Sequence, residues 1–376
     1  MTSQAPFVPP PYPFDRLAGL AERAAAHDGG VVDLSIGTPS DPPPPAVVSA
    51  LGSSGTERGY PPSVGSQALR EAACGWMARR LGVVVEPADV VACVGTKEFV
   101  SSVPQWLRLR SPERDTVLYP AVAYPTYEMG AVLSGCRAVP VSSLDAVSAD
   151  DASRALCLWV NSPGNPAGQL EDLGAFAEWG RARGVTVLSD ECYIELTWDG
   201  PARTILEYGS DGVLAVQSLS KRSNMAGVRV GFAAGDSDLV RYLGEVRKHA
   251  GLMVPGPAQA AAVVALDDDV HVDEQRQRYH ERLVRLAEIL ETAGIPAHLP
   301  GGSFYLWVSA EAARPFEGET KGWALARFLA EWGGVLASPG ELYGRGGNDF
   351  VRLALVQPME RIELIAKRLA AAPRFS

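Results

Sequence analysis

Between residues 66 and 265 the chain repeats one pattern: a short apolar run, then a helical or loop stretch. The runs are Val90–Val94, Thr116–Tyr119, Ala155–Val160, Val185–Ser189, Val213–Gln217 and Arg229–Ala234. Apolar runs this short, without polar alternation, read as strands buried on both faces, the signature of parallel strands. Ser66–Leu81 is helix-like and precedes the first run. Leu170–Arg183 is helix-like, lies between two runs and has the length of a crossover. The fold class that follows is α/β, a mostly parallel sheet flanked by helices.

From about residue 270 the texture changes. Val272–Thr292 places Tyr279, Leu283, Leu286 and Leu290 on one helical face, and Gly294 and Pro296 end it. A strand-like Ser303–Val308, a helix Trp323–Trp332, a strand Val351–Val356 and a terminal helix Met359–Ala371 follow. This reads as a smaller α+β domain. Residues 1–45 are proline-rich at both ends around a helix-like Phe14–Ala26, and Pro42–Pro45 reads as an extended, non-helical connector. The expected division is an N-terminal arm (1–45) joining the small domain, a large domain (46–268) and a C-terminal small domain (269–376).

The formal net charge of −10 argues against a nucleic-acid partner, which calls for a basic face. The five cysteines are scattered without a Cys-x-x-Cys pair, and the five histidines have no metal spacing, so no metal is expected. Met1–Pro6 lacks the pattern of a signal peptide. The longest apolar stretch, Ala258–Leu266, is too short to cross a bilayer. A cytoplasmic protein with no membrane partner is the expectation.

Ligands of α/β sheets collect at the carboxyl ends of the strands. Gly95-Thr96 follows one run, Asn161 to Gly168 another, and Asp190 and Ser218 to Lys221 two more. A lysine amine such as that of Lys221 condenses with an aldehyde to give a Schiff base. Hydroxyls and an arginine nearby, here Ser218 and Arg229, hold a phosphate. Pyridoxal 5′-phosphate carries both groups. Asp190, ending an apolar strand, either pairs with a pyridine nitrogen or caps a helix. Asn165 and Tyr193 can donate to a phenolic oxygen. Gly95-Thr96-Lys97 stands between a strand and a helix, where free N–H groups bind phosphate; a plain helix cap is the alternative for Thr96. Tyr124 either stacks on a flat ring or packs in the core. Arg352, with apolar neighbours in its strand, needs an anion, either a substrate α-carboxylate or a structural carboxylate.

In this order along nearly the whole chain, the residues resemble the class I/II aminotransferases of pyridoxal phosphate fold type I, the aspartate aminotransferase-like fold. Ser35-Ile36-Gly37-Thr38-Pro39 is similar to the family's N-terminal glycine segment, which implies that Gly37 touches the substrate carboxylate. Tyr60, in Tyr60-Pro61-x-x-x-Gly65, resembles the tyrosine that reaches the phosphate across a dimer interface, implying a homodimer with shared sites. Gly95-Thr96-Lys97 matches the phosphate-cradling turn and Tyr124 the ring-stacking aromatic. Asn165, Asp190, Tyr193, Ser218, Lys221 and Arg229 match the cofactor set, and Arg352 the carboxylate-binding arginine. Where the family often has Asn-Pro-x-Asn-Pro-Thr-Gly, this chain has Ser162 and Ala167.

Three further stretches, Asp190–Glu195, Ser220–Asn224 and Val246–Pro255, resemble the bacterial N-succinyldiaminopimelate aminotransferases. That implies transfer of an amino group between glutamate/2-oxoglutarate and N-succinyl-LL-2,6-diaminopimelate, in lysine and diaminopimelate biosynthesis. The alternative is another fold type I enzyme: a transaminase of a different substrate, a lyase, or a carbon–carbon bond-forming enzyme of secondary metabolism. A non-enzymatic regulatory domain is disfavoured by the acidic charge and by how early Gly37 comes. Arg247, Lys248 and His249 form a basic cluster that either meets a distal carboxylate or is a solvated helix end.

Overall fold

The computed structural model describes residues 7–375; the Met1–Pro6 expectation lies outside them. The strands in chain order are β1 (Val32–Asp33), β2 (Val90–Cys93), β3 (Thr116–Pro120), β4 (Arg137–Val141), β5 (Ala155–Asn161) and β6 (Thr186–Asp190). They continue as β7 (Val213–Ser218), β8 (Gly231–Gly235), β9 (Tyr305–Ser309), β10 (Val335–Leu336), β11 (Ser338–Pro339) and β12 (Phe350–Ala354).

Seven of these form the main sheet, in the order β2-β8-β7-β6-β5-β3-β4. Every residue of β2, β5, β7 and β8 is buried, which is why these segments lack polar alternation. The neighbours from β4 through β7 pair in parallel. β8 does not: it is antiparallel to both β7 and β2, contrary to the parallel reading of the Arg229–Ala234 run. A fully buried run has no period that reports its direction. Glycines permit the close approach of β8 to β7, since a Cβ on Gly231 would lie 2.6 Å from the Gln217 carbonyl oxygen. The edge strand β4 escapes the sequence reading because its residues are half-buried or exposed.

The second body joins the two ends of the chain. β9, β12 and β11 form an antiparallel sheet, and β1 pairs with β10 in parallel. One apolar core unites Leu17, Leu20, Val32 and Leu34 with Leu283, Leu325, Leu353 and Ile365. The helices Val270–Thr292 and Met359–Leu369 pack around it.

Several helix limits shift for local reasons. The 66–81 segment is a helix over Gln67–Trp76, capped by the Ser66 side chain, that widens into a π turn over Met77–Leu81 and stops at Gly82 with φ 70°. The 170–183 helix starts only at Leu173, where the Asp172 side chain accepts from the Ala175 N–H. Pro45, read as part of a non-helical connector, is the first residue of the helix Pro45–Ser53; a first-turn proline sacrifices no hydrogen bond. Ala258–Leu266 lies inside the helix Gly256–Asp267, and among the described residues no helix is long and apolar enough to cross a membrane.

Candidate active site

The carboxyl ends of β5, β6 and β7 open onto a cavity of about 380 Å³. Lys221 belongs to a one-turn helix, Leu219–Arg222, that directly follows β7, and the Ser218 hydroxyl caps that turn by accepting from the Ser220 N–H at 3.1 Å. The Lys221 ammonium donates to the Gly37 carbonyl oxygen and stands 5.7 Å from the Phe304 ring centroid. Burial pulls its pKa down to about 8; the Arg352 and Arg229 guanidiniums act in the same direction and Asp190 opposes them. Near neutral pH this amine gives up its proton far more readily than a surface lysine does.

Asp190 ends β6 and is 7% exposed. Its Oδ2 accepts from the Tyr127 hydroxyl at 2.7 Å and its Oδ1 from the Cys192 N–H at 3.2 Å. Burial raises its proton affinity, and these donors together with Lys221 only partly counter it. At the end of β5, the Asn161 side chain accepts from the Asn165 N–H at 2.8 Å and donates to the Asp190 carbonyl oxygen at 2.8 Å, binding the turn to β6.

Arg352 reaches the cavity from β12 of the other body and is 2% exposed. Its Nη1 donates to Asn165 Oδ1 at 2.8 Å and its Nη2 to the Ser35 carbonyl oxygen, while Nε has no partner. The guanidinium lies 4.3 Å from the Tyr305 ring centroid and 4.8 Å from that of Tyr343. Among the described residues no carboxylate pairs with it, so a structural ion pair is not what holds this buried charge. The Tyr193 and Tyr305 hydroxyls share a hydrogen bond of 2.8 Å. Gly37 must be a glycine, because a Cβ there would stand 2.1 Å from the Tyr305 hydroxyl.

A second set of donors lines the same cavity. Gly95, at φ 75°, leads into the helix Thr96–Arg110, and a Cβ on it would lie 2.1 Å from Nη2 of Arg229. Arg229 adopts φ 59° and donates to the Ala226 carbonyl oxygen at 2.7 Å. The side chains of Thr96, Ser218, Ser220 and Arg229 line the same cavity. Hydroxyls, a guanidinium and the N-terminus of a long helix form an anion cradle.

Lys97 takes a different place from its neighbours in the turn. Its ammonium lies 5.1 Å and 5.5 Å from the ring centroids of Tyr12 and Tyr124, at the mouth. Burial pushes the Tyr124 phenol up, but the Tyr12 hydroxyl and Lys97 outweigh it and leave the pKa below the ordinary tyrosine value. Tyr60 is 97% exposed and does not line the cavity. Arg247 is fully buried and makes a bidentate ion pair with Glu98, both contacts at 2.8 Å, so for this residue neither alternative holds: it is not a solvated helix end, and its guanidinium is not free for a distal carboxylate. Lys248 and His249 are exposed. The sequence reading did not single out Tyr12, Phe14, Tyr127, Cys192 or Tyr305, all of which line the cavity. Only Tyr127 left a signal, its spacing of three from Tyr124; Tyr12 and Phe14 come from a proline-rich arm with no motif.

The sequence profile of the family described as "Aminotransferase class I and II" matches residues 29–369. The chain belongs to that family. It is 42% identical, over 96% of its length and 99% of the relative's, to a 4-dedimethylamino-4-oxo-anhydrotetracycline transaminase of Streptomyces rimosus. It is 31% identical to an LL-diaminopimelate aminotransferase of Aquifex aeolicus, each chain covered to 96%. Among solved structures, a probable N-succinyldiaminopimelate aminotransferase of Thermus thermophilus superposes with a TM-score of 0.81 at 30% identity, covering 95% of this chain and 99% of that one. The fold is the α/β aspartate aminotransferase-like fold, and the cofactor is pyridoxal 5′-phosphate. The residues present fit that group: an anion cradle, a buried carboxylate able to meet a ring nitrogen, and a lysine of lowered pKa, all lining one cavity with the guanidinium of Arg352.

Proposed function

We propose that the protein takes an amino group from glutamate, releasing 2-oxoglutarate, and delivers it to the keto form of N-succinyl-LL-2,6-diaminopimelate. The observation that carries the amino-acid end of this reading is Arg352, a buried guanidinium with no carboxylate partner among the described residues. An α-carboxylate meeting it bidentately would satisfy the free Nε and bring the substrate Cα toward Lys221. Asn165 and Gly37 border the same place.

Bound pyridoxal phosphate supplies an electron sink for the carbanion formed at the substrate Cα. Thr96, Ser218 and Arg229, with the helix start after Gly95, hold its phosphate. Tyr60 of a second copy reaches the same phosphate in a homodimer. The Asp190 carboxylate would keep the ring nitrogen protonated, Tyr124 would cover one ring face, and Asn165 and Tyr193 would donate to the phenolic oxygen. Lys221 Nζ, once free, moves the proton between the substrate Cα and the cofactor C4′.

A second reading of the acceptor is a bulky cyclic ketone, as the name of the Streptomyces relative describes for that protein. Two observations favour it: Arg247 is committed to Glu98, and the mouth is walled by Tyr12, Phe14 and Ile36 with Lys97 as its cation. One experiment tests both. Glutamate alone should convert the cofactor fully to its amine form, followed by absorbance; absence of that conversion overturns the glutamate reading. The amine-form enzyme is then offered N-succinyl-2-amino-6-oxopimelate and a fused-ring ketone. The acceptor that restores the original spectrum at the higher kcat/KM identifies the class.

A further inference from the structure

Asp190 accepts one hydrogen bond from a neighbouring side chain, and that side chain is rigidly held. The Tyr127 hydroxyl donates to Oδ2 at 2.7 Å. Tyr127 is the second residue of the helix Thr126–Leu133, its N–H bonds to the Tyr124 carbonyl oxygen at 3.2 Å, and its ring packs 5.4 Å from that of Trp159 on β5. The hydroxyl is buried, and no second hydrogen-bond partner stands beside it among the described residues.

We propose that Tyr127 is a positioning residue for the cofactor: its hydroxyl orients the Asp190 carboxylate and keeps it ionised, so that the shared proton stays on the cofactor's ring nitrogen. The proposal rests on the assignment of Asp190 to that nitrogen.

Burial alone drives Asp190 toward its protonated form, and the Tyr127 hydrogen bond draws it back. The phenol remains a donor throughout, because burial and the Asp190 charge push its own pKa well up. The other titratable groups facing Asp190 are Cys192 beside it in the chain, Lys221 after β7 and Cys93 at the end of β2. Lys221 would be engaged by the cofactor's aldehyde when the cofactor is bound, and is then no longer a free ammonium facing Asp190. The burial of both thiols raises their pKa, so neither adds charge. Tyr127 is then the first of the side chains that stabilise the carboxylate, ahead of the weakly donating, neutral Cys192 thiol. One short stretch serves two faces of the ligand: Tyr124 the ring, Tyr127 the group that answers its nitrogen.

The test is binding rather than turnover. Ligand-free wild-type protein and Tyr127→Phe are titrated with pyridoxal 5′-phosphate and with its 1-deaza analogue, in which a carbon replaces the ring nitrogen. Tyr127→Phe removes one oxygen and keeps the ring against Trp159. The variant should bind pyridoxal phosphate roughly tenfold more weakly, the scale of one hydrogen bond to a charged group, and should bind the analogue as the wild type does. Equal loss with both ligands, or loss with neither, overturns the proposal. In an Asp190→Asn background, Tyr127→Phe should cost nothing further, and a further loss there also overturns it. An Asp190→Asn protein with wild-type affinity overturns the Asp190 assignment itself. An Asp190 effect without a Tyr127 effect overturns the present proposal alone.

Discussion

Lys221 carries a cost that the ligand-free protein bears. With its pKa lowered to about 8 from the ordinary 10.5, the folded state binds fewer protons than the unfolded chain between those two values. Stability from this group therefore rises with pH across that window, and below it the charged, buried amine is destabilising. Lys221→Met should lack this rise. Urea unfolding of both ligand-free proteins at pH 7, 9 and 10.5 checks it; parallel stability curves would contradict the burial argument. Lys221, Asp190, Asn165 and Arg352 could be picked out of the sequence together, by their order along the chain and by the strand ends that three of them follow, and not as single residues. Tyr127 could not be picked out, because a tyrosine beside an aromatic motif looks like core until its hydroxyl is seen on a carboxylate.

At the level of elements, the Arg247–Glu98 pair belongs to the scaffold. Glu98 also accepts from the Val94 N–H at 3.1 Å and from the Ser102 hydroxyl at 2.7 Å, so one carboxylate fastens the end of β2, the helix Thr96–Arg110 and the helix Ser237–His249. Arg247→Met strands that carboxylate in the interior and should cost about 3–5 kcal/mol of stability, the range for breaking a buried pair from one side. Thermal and urea unfolding measure it; a KM change confined to one acceptor, with stability intact, would argue the opposite. The sequence showed a basic cluster and could not show that its first member turns inward, because a helix end places successive side chains on different faces. The reversed direction of β8 was hidden for a related reason: burial on both faces erases the periodicity that distinguishes strand settings. The smaller α+β part was easier to read, since its long helix keeps Tyr279, Leu283, Leu286 and Leu290 on one buried face.

For the whole molecule, the resemblance implies that Tyr60 serves a second copy, and its 97% exposure in the single chain leaves it available for that. A mixture of Tyr60→Ala and Lys221→Ala proteins should regain activity that neither has alone, since hybrid dimers hold one undamaged site. Light scattering that finds a monomer at assay concentration rules this out. Within one chain, the hydrogen bond from Arg352 to Asn165 crosses from the β11-β12-β9 sheet of the second body to the turn after β5. A carboxylate seated on Arg352 beside Asn165 would therefore act as a fastener across a seam, tying together parts that the chain assembles separately. Substrate affinity then measures how well that seam closes. Changes along it, far from any reacting atom, would register first as a weaker hold on every carboxylate substrate, donor and acceptor alike.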